Sequence, residues 1–345
     1  MMKFIIILGL TFVLSGCNKQ EKGVDISGIN FQIESLYGTH LITGYDIPFK
    51  AIDQDGNDIT NGVQFLVNGN PVNSAVLRFD NPGQYTVKAV WDLGGITKES
   101  QNEIQVQVEH PRSETYVLIE DFTGTWCVNC PRVTYKLEQA MNQTDKIVAV
   151  AIHDKGFQTD PFHFDDVNIL TQAYNITGYP TPLLNREGVW DEELQSVLDK
   201  QAMNQPLGIR LESQYDGTQL SLQVKVRFDM DLSSKNLKLV VYALENGLHA
   251  DQANSTNYYG GQNPIPNFEH NHVLRHSFTH VLGDDIPSSQ CSFDNIYSWN
   301  YTGALPSGIT DATQVDFVAF VVDADEEPGN VINAKKVHIN QTADF

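Results

Sequence analysis

Two apolar segments flank a closely spaced cysteine pair, and this arrangement constrains the fold of the chain most strongly. Residues 116–122 and 146–152 each read as a strand buried on both faces, and residues 131–142 between them fit a helix. Neighbouring parallel strands need a crossover connection of this kind, so the segment predicts a β-α-β unit. Cys127 and Cys130 lie where the first strand passes into the helix.

The position of the pair favours a redox centre. At the start of a helix, unpaired N–H groups and the macrodipole stabilise a thiolate, so Cys127 is expected to be the exposed nucleophile. Cys130 lies further into the helix and is expected to be the resolving thiol. A fixed structural disulfide is also compatible with the spacing. Zinc would need a second pair of ligands at suitable spacing, so we expect neither a metal nor another cofactor.

Residues 117–127 resemble the first active-site strand of the thioredoxin superfamily, in which an acidic residue stands six positions before the first cysteine. Asp121 occupies that position here. The resemblance implies that Asp121 is a buried carboxylate that accepts the proton of Cys130, since burial raises a carboxyl pKa towards the necessary range. Alternatively, Asp121 merely ends a strand whose Glu120 faces solvent.

The loop Thr177-Gly178-Tyr179-Pro180-Thr181 resembles the superfamily's Gly-Ile-Pro-Thr loop, about fifty residues after the cysteines. The resemblance implies that Pro180 is cis and packs against the disulfide, and that Tyr179, Thr181 and Trp126 contact substrate. An ordinary Tyr-Pro turn is the alternative. The dipeptide Val128-Asn129 differs from those of thioredoxins and of strong oxidants, so the sequence does not indicate the redox direction.

The amino-terminal residues predict export and a lipid anchor. Lys3 is followed by an apolar run from Phe4 to Leu14 and then by Ser15-Gly16-Cys17. The run is typical of a secretory signal, and its end resembles the lipobox of bacterial lipoproteins. That resemblance implies cleavage before Cys17, lipidation of Cys17 and attachment to a membrane. An ordinary secretory signal with a chance cysteine is the alternative.

The composition of the chain excludes some classes of binding partner. A formal net charge of -21 argues against binding to nucleic acid or to anionic lipid surfaces. The predicted signal places the body in an oxidising compartment, where a close cysteine pair is a disulfide or a redox centre. We therefore expect the partners to be exported proteins that carry thiols or disulfides.

The remaining sequence predicts two β regions around the α/β unit. Strands are expected at 64–67, 76–79, 85–91 and 104–108, with turns at Asn68-Gly69 and at residues 81–83, as in a small immunoglobulin-like sandwich. The predicted fold is therefore multidomain α/β plus β, a thioredoxin-like fold flanked by an immunoglobulin-like β-sandwich and a C-terminal β domain. The expected divisions are a signal peptide at 1–16, a tether at 17–25, an immunoglobulin-like domain at 26–110, a thioredoxin-like domain at 111–205 and a C-terminal β domain at 206–345.

The C-terminal region holds several histidines and a third cysteine outside the signal. His270 and His272 are expected to share a strand face, and His276 and His280 to share a helix face. This pattern offers no continuous four-ligand geometry, so packing or surface roles are expected. Cys291 has no partner at short spacing and is expected to be a buried apolar residue.

The whole arrangement resembles the Omp28-related outer-membrane lipoproteins. Residues 269–275, Glu-His-Asn-His-Val-Leu-Arg, and 320–324, Phe-Val-Val-Asp-Ala, carry the resemblance, which extends over 112–345. It implies a cell-envelope protein of the outer membrane, on the periplasmic or the surface face. Two functions are compatible with the sequence: a membrane-anchored thiol-disulfide oxidoreductase acting on exported proteins, or a surface binding protein, adhesin or receptor-like, that uses the thioredoxin fold as a scaffold.

Overall fold

The computed structural model describes residues 28–156 and 159–345, and this part of the chain is multidomain and mostly β. The predicted signal peptide, the tether and Cys17 lie outside the described residues. In the described part, no helix is long and apolar enough to cross a membrane. Short 3-10 helices lie at Thr60–Gly62, Tyr258–Gly261, Ser288–Gln290 and Ala312–Gln314.

The amino-terminal region is built from two small sheets whose strands bury alternate residues. In one strand, for example, Val87 and Ala89 are fully buried while Lys88 between them is partly exposed. One sheet has the order β1-β3-β6, and the other has the order β2-β9-β7-β4-β5 with β8 paired to β7. The strands are β1 Phe31–Ser35, β2 His40–Ile42, β3 Asp46–Asp53, β4 Val63–Val67, β5 Asn70–Val72, β6 Val76–Arg78, β7 Gly83–Asp92, β8 Thr97–Glu99 and β9 Ile104–Glu109.

The middle region places a fully buried strand between two layers of side chains. Every residue of β10 is buried, because Val117 and Ile119 pack with Leu137 and Val197 of two helices while Leu118 lies in the core on the other face. β10 pairs in parallel with β11 and antiparallel with β12. The elements are β10 Val117–Thr123, α1 Cys130–Met141, β11 Ile147–His153, α2 Val167–Ala173, β12 Thr181–Leu184, β13 Gly188–Val189 and α3 Leu194–Gln201.

A turn that the side chain of Asp191 closes comes just before the start of α3. Glu193 is the residue at the N-cap, and its side chain makes no capping bond. The carboxylate of Asp191 instead accepts hydrogen bonds from the main-chain N–H of Glu193 and the hydroxyl of Ser196. The carboxylate of Asp191 therefore stabilises a turn that precedes the helix, and the helix itself begins at Leu194.

The C-terminal region adds strands to the same sheet that holds the middle region. The order in this sheet is β13-β12-β10-β11-β19-β16-β22-β23, with β20 paired to β16. A four-stranded sheet, β21-β15-β14-β24, and a two-stranded ribbon, β17-β18, complete the region. The strands are β14 Leu207–Tyr215, β15 Leu220–Phe228, β16 Leu237–Glu245, β17 Leu248–Gln252, β18 Ile265–His270, β19 Val273–Ser277, β20 Asp284–Asp285, β21 Ile296–Gly303, β22 Val315–Asp323, β23 Asn330–His338 and β24 Thr342–Ala343.

The joint between the two regions is a short parallel contact between β11 and β19. Ala151 stands opposite Val273, and the main-chain N–H of Ala151 donates to the carbonyl of His272 at 2.8 Å. The sheet thus crosses the boundary that the sequence predicts near residue 205. The ends of β10 and β11, and with them the cysteine pair, lie beside the ribbon β17-β18.

Candidate functional site

The cysteine pair closes a disulfide at the start of α1. The Cα atoms of Cys127 and Cys130 are 5.4 Å apart, and Cys130 is the first residue of the helix. A turn before the helix is held by the N–H of Cys127, which donates to the carbonyl of Gly124 at 3.0 Å. Pro131 follows Cys130 without disrupting the helix, because N–H groups of a first turn have no intrahelical acceptor.

Both cysteines are buried, in contrast to the accessible Cys127 that the sequence predicts. The exposed fraction is 4% for Cys127 and 1% for Cys130, whereas Val128 between them is 42% exposed. The dipeptide between the cysteines therefore forms the surface of the site, and the sulfur atoms lie beneath it.

The loop before β12 reaches the same end of the sheet as the cysteine pair. The Tyr179–Pro180 peptide bond is cis. Thr181 then pairs with Phe122, and Pro182 with Asp121, at the carboxyl end of β10. The structure thus brings Asp121, the cysteine pair and the Tyr179–Pro180 loop to the end of the sheet at which β10 terminates.

Trp126 and Tyr179 form an aromatic pair that Asp154 holds in place. Their ring centroids are 5.4 Å apart with nearly perpendicular planes. Trp126 Nε1 donates to the main-chain oxygen of Asp154 at 2.7 Å, and the Tyr179 hydroxyl donates to Asp154 Oδ2 at 2.6 Å. Burial, together with this carboxylate, raises the pKa of Tyr179, so its phenol remains a donor at neutral pH.

Two glycines make room for the indole ring. A Cβ atom at Gly124 would lie 2.6 Å from Trp126 Nε1, and one at Gly156 would lie 2.4 Å from Trp126 Cε2. Gly156 also has a φ of +55°, which side-chain-bearing residues adopt rarely. Glycine at both positions therefore allows Trp126 to pack against the main chain beside Tyr179.

Asp121 is a buried carboxylate whose Oδ1 has no hydrogen-bond partner among the described residues. Strand alternation puts it on the face of β10 that Val117 and Ile119 present to the helices. Burial and, to a lesser extent, the negative charge of Glu192 raise the pKa of Asp121 to about 7, although the positive charge of Arg132 opposes this shift. A carboxyl with this pKa can take up and release a proton at neutral pH.

A cavity of about 80 Å³ lies between Asp121, α1 and the ribbon β17-β18. It is large enough for a few water molecules. Its lining is rich in polar side chains, including those of Thr134, Glu138, Gln252 and His270. Asp121 therefore lines a small cavity with both polar and apolar walls rather than a filled apolar core.

The chain after β17 crosses over the cysteine pair. The N–H of Ala253 donates to the carbonyl of Thr125 at 2.8 Å, and the N–H of Ser255 donates to the carbonyl of Val128 at 2.7 Å. We call residues 252–263 the strap. The strap covers the main chain on either side of Cys127, and sequence reasoning missed it because residues 125 and 253 are far apart in the chain.

Comparison with known proteins assigns the chain to a family. Residues 167–343 match the model of the family described as "Outer membrane protein Omp28". This match covers just over half of the chain. The protein belongs to the Omp28 family. The predicted location in the cell envelope, at the outer membrane, is thereby confirmed. The family match begins after the cysteine pair, so it includes the strap but neither cysteine of the disulfide.

One of the solved structures that match this chain has a similar fold. HBP35 of Porphyromonas gingivalis is 18% identical, and the match covers 67% of this chain and 77% of that chain with a TM-score of 0.51. A domain of the outer membrane lipoprotein Omp28 from Porphyromonas gingivalis is 22% identical, covers 39% of this chain and 89% of that chain, and has a TM-score of 0.25. A search of curated proteins found no match.

In this Omp28-family chain Glu120 is buried, so the alternative in which it faces solvent is wrong. Glu120 is 1% exposed and forms an ion pair with Arg186, which is 3% exposed. The alternation of β10 does direct Glu120 away from Asp121, but that face is covered by the core around α2 and β16. A buried charge needs a partner, and the loop after β12 supplies it.

The four histidines do not form the two pairs that the sequence predicts. His270 ends β18, and His272 lies between β18 and β19 with a φ of +59°, so the two do not share one strand face. His276 is in β19 and His280 follows it, so the predicted helix there is wrong. Pairing of β19 with β16 and β11 determines this structure, which a spacing of four residues does not reveal.

A pair that the sequence reasoning missed supports the loop before Cys127. His153 Nδ1 lies 3.2 Å from Asp160, and the carboxylate of Asp160 accepts the N–H of Thr125 at 2.6 Å. Burial lowers the pKa of nearby His270 to about 3.

Cys291 is fully buried and is not in a disulfide.

Proposed function

We propose that this Omp28-family protein is a membrane-anchored thiol-disulfide oxidoreductase with a thioredoxin-like middle region, and that it acts on exported proteins. One observation carries the proposal: three features meet at the carboxyl end of β10. They are a disulfide at the start of a helix, the buried carboxyl of Asp121 with a pKa near neutrality, and the loop that contains the cis Tyr179–Pro180 bond. A purely structural disulfide does not require the neighbouring carboxyl.

The proposed reaction begins with the reduced pair. The Cys127 thiolate, stabilised by the start of α1, attacks one sulfur of a partner's disulfide, and the other partner sulfur leaves as a thiolate. Cys130 then gives its proton to Asp121 and attacks Cys127, which forms the disulfide of the structure and releases the partner's second thiolate. Two electrons pass from the cysteine pair to the partner, and the reverse sequence oxidises a dithiol.

Three residues would position the partner in this reaction. Pro180 would pack beside the disulfide, Tyr179 would offer its main chain to an extended partner, and Thr181 begins the strand that fixes this loop. Trp126 forms the wall of the site together with Tyr179.

The rest of the chain would place this site at a distance from the membrane. We propose that Cys17 carries the lipid, that residues 18–25 form a tether and that the N-terminal sandwich is an immunoglobulin-like spacer. The middle region then works in the aqueous part of the cell envelope, where partners with thiols or disulfides are exported.

A second function is favoured by the burial of Cys127 and Cys130 beneath the strap. In that case the disulfide is static, and the protein is a surface-exposed binding protein, adhesin or receptor-like, that uses the thioredoxin-like fold as a scaffold. The two functions differ in whether either sulfur ever reacts with a partner.

Cysteine variants in cells separate the two functions. Cys130→Ser should accumulate mixed disulfides through Cys127, because the resolving thiol is missing. Cys127→Ser should accumulate few, since Cys130 is more deeply buried. Cys291→Ser is the control, and its adduct pattern should match that of the natural protein. Acid-quenched cells analysed on non-reducing gels give the result: the absence of adducts in all three variants would contradict the oxidoreductase and leave the binding protein.

A further inference from the structure

The strap occupies the place beside Cys127 where an extended chain can bind. We propose that it is an internal substitute for a substrate peptide, which keeps the disulfide closed until the extended segment of a partner protein displaces it. This inference rests on the proposed oxidoreductase function and adds its regulation and the class of its partner.

The main-chain contacts of the strap are those of a bound peptide. Ala253 and Ser255, two residues apart, donate their N–H groups to the carbonyls of Thr125 and Val128 on either side of Cys127. Alternate N–H groups of an extended chain point to the same side, so one edge of the strap faces the cysteine loop. Any extended polypeptide presents the same donors at the same spacing, whatever its side chains.

Side chains of the strap seal the site. Gln252 is 3% exposed, and its Nε2 donates to the main-chain oxygen of Cys127 at 3.0 Å. The hydroxyl of Ser255 donates to Asn129 Oδ1 at 3.0 Å. These contacts hold the strap against residues 127–129, and in this proposal they keep a partner sulfur away from Cys127 while the strap is in place.

The strap is also fastened to α1 at its far end. The ring of Tyr258 lies 4.7 Å from that of Tyr135, and the hydroxyl of Tyr259 donates to Glu138 Oε2 at 2.9 Å. Tyr135 and Glu138 are both in the helix that begins with Cys130, and neither is fully buried. Release of the strap therefore requires the loss of contacts to both the cysteine loop and α1.

Asn254 gives the strap its shape. It is 2% exposed, and its Nδ2 donates to the carbonyls of Tyr258 at 3.2 Å and Gln262 at 3.1 Å. Its Oδ1 accepts the N–H of Thr256 at 2.8 Å. The strap is thus an ordered loop closed by one side chain, and loss of that side chain should loosen the whole loop.

Reduction of the disulfide by dithiothreitol measures how often the strap opens. The full-length protein in detergent is reduced, and samples quenched over time are labelled with a maleimide polymer that shifts free thiols on a gel. We expect Gln252→Ala to be reduced at least about fivefold faster than the natural protein, because its Nε2 loses hydrogen bonds to the buried carbonyls of Gly124 and Cys127. Asn254→Ala should be faster still. Tyr259→Phe leaves the cysteine loop untouched and should be reduced about twofold faster than the natural protein. It loses a single hydrogen bond, to Glu138, and this bond is exposed to solvent.

Gln262→Ala is the matched control. Gln262 is in the same loop and its side chain is exposed, so its loss should leave the reduction rate unchanged within the error of the assay. Equal rates for the natural protein, Gln252→Ala and Tyr259→Phe would overturn the proposal, because the strap would then not limit access.

The same variants combined with Cys130→Ser separate this proposal from the function on which it rests. If reduction accelerates but no mixed disulfides form in cells, the strap controls access to a disulfide that is not an oxidoreductase site. If mixed disulfides form but the reduction rates are equal, the oxidoreductase stands and the strap proposal fails. If both are correct, Gln252→Ala increases both the reduction rate and the amount of mixed disulfide.

Discussion

Arg186 and Glu120 form a bidentate ion pair in the interior of the protein. Nε of Arg186 lies 2.6 Å from Oε2 of Glu120, and Nη2 lies 2.8 Å from Oε1. Nη2 of Arg186 also lies 3.1 Å from the hydroxyl of Tyr242 on β16, and the guanidinium stands 4.8 Å from the ring of Phe320 on β22. The pair therefore links the middle region to the C-terminal region on the face of the sheet opposite α1.

Replacement of Arg186 by Met should lower the free energy of unfolding by about 3–5 kcal/mol, because it leaves the carboxylate of Glu120 buried without its partner. Urea denaturation followed by circular dichroism measures the loss. Arg78→Met removes an exposed pair with Asp46 and should cost less than about 1 kcal/mol. Equal small losses for both variants would show that Glu120 is readily solvated or neutralised.

Asp121→Asn should change how stability depends on pH. The folded protein raises the pKa of Asp121 from 3.8 to about 7, so between these values it holds a proton that the unfolded chain has released. This group therefore makes the natural protein less stable as the pH rises from about 4 to 7, by at most about 1.4 kcal/mol for each pH unit.

The Asn variant should lack this decline, so its advantage over the natural protein grows up to about pH 7 and is constant above it. Urea denaturation of the oxidised protein at a series of pH values measures the difference. Asp55→Asn, at an exposed carboxylate, serves as the control. An advantage that is the same at pH 5 and pH 7 would contradict the raised pKa of Asp121.

His270→Gln should have the opposite pH dependence. Burial lowers the pKa of His270 from 6.5 to about 3, so at intermediate pH the unfolded chain binds a proton that the folded protein excludes. The natural protein should therefore lose stability as the pH falls from about 6.5 towards 3, and this part of the loss should be absent in His270→Gln.

Thermal unfolding at pH 7.5, 6, 5 and 4.5 follows this effect. His249→Gln changes an exposed histidine of the neighbouring strand and is the matched control. If the natural protein and His270→Gln decline in parallel between pH 6.5 and 4.5, His270 is accessible to protons in the folded state.

Cys17→Ser should release the protein from the membrane. The variant should lose fatty-acid labelling and should partition into the aqueous phase after extraction with detergent, since the lipid is the proposed anchor. Cys291→Ser keeps Cys17 and should remain in the detergent phase. Unchanged labelling of Cys17→Ser would contradict the lipobox assignment.

Local signals in the sequence predict much of the secondary structure. The helix after the cysteines is predicted at 131–142 and found at Cys130–Met141, because periodicity and a Pro near its start are properties of that segment alone. The turn at Asn68-Gly69 is found between β4 and β5, with positive φ at both residues.

What the sequence does not predict depends on contacts between distant residues. A charged residue in an apolar strand looks the same whether it faces solvent or a buried Arg, so the sequence alone does not show that Glu120 is buried. The strap is an irregular segment rich in Asn, Gly and Tyr, without hydrophobic periodicity, and nothing within it indicates that Ala253 and Ser255 pair with the cysteine loop. The accessibility of Cys127 therefore could not be predicted.

A fragment that spans 111–205 alone would end its sheet at β11. The N–H and C=O groups that Ala151 and its neighbours direct towards β19 would be unpaired, next to Val148, Val150 and Ile152, which are buried in the whole chain. An open, apolar edge strand is a template for pairing with other molecules. Expression of the middle region by itself should thus give aggregates joined edge to edge, and the C-terminal strands protect the cysteine-bearing unit from self-association.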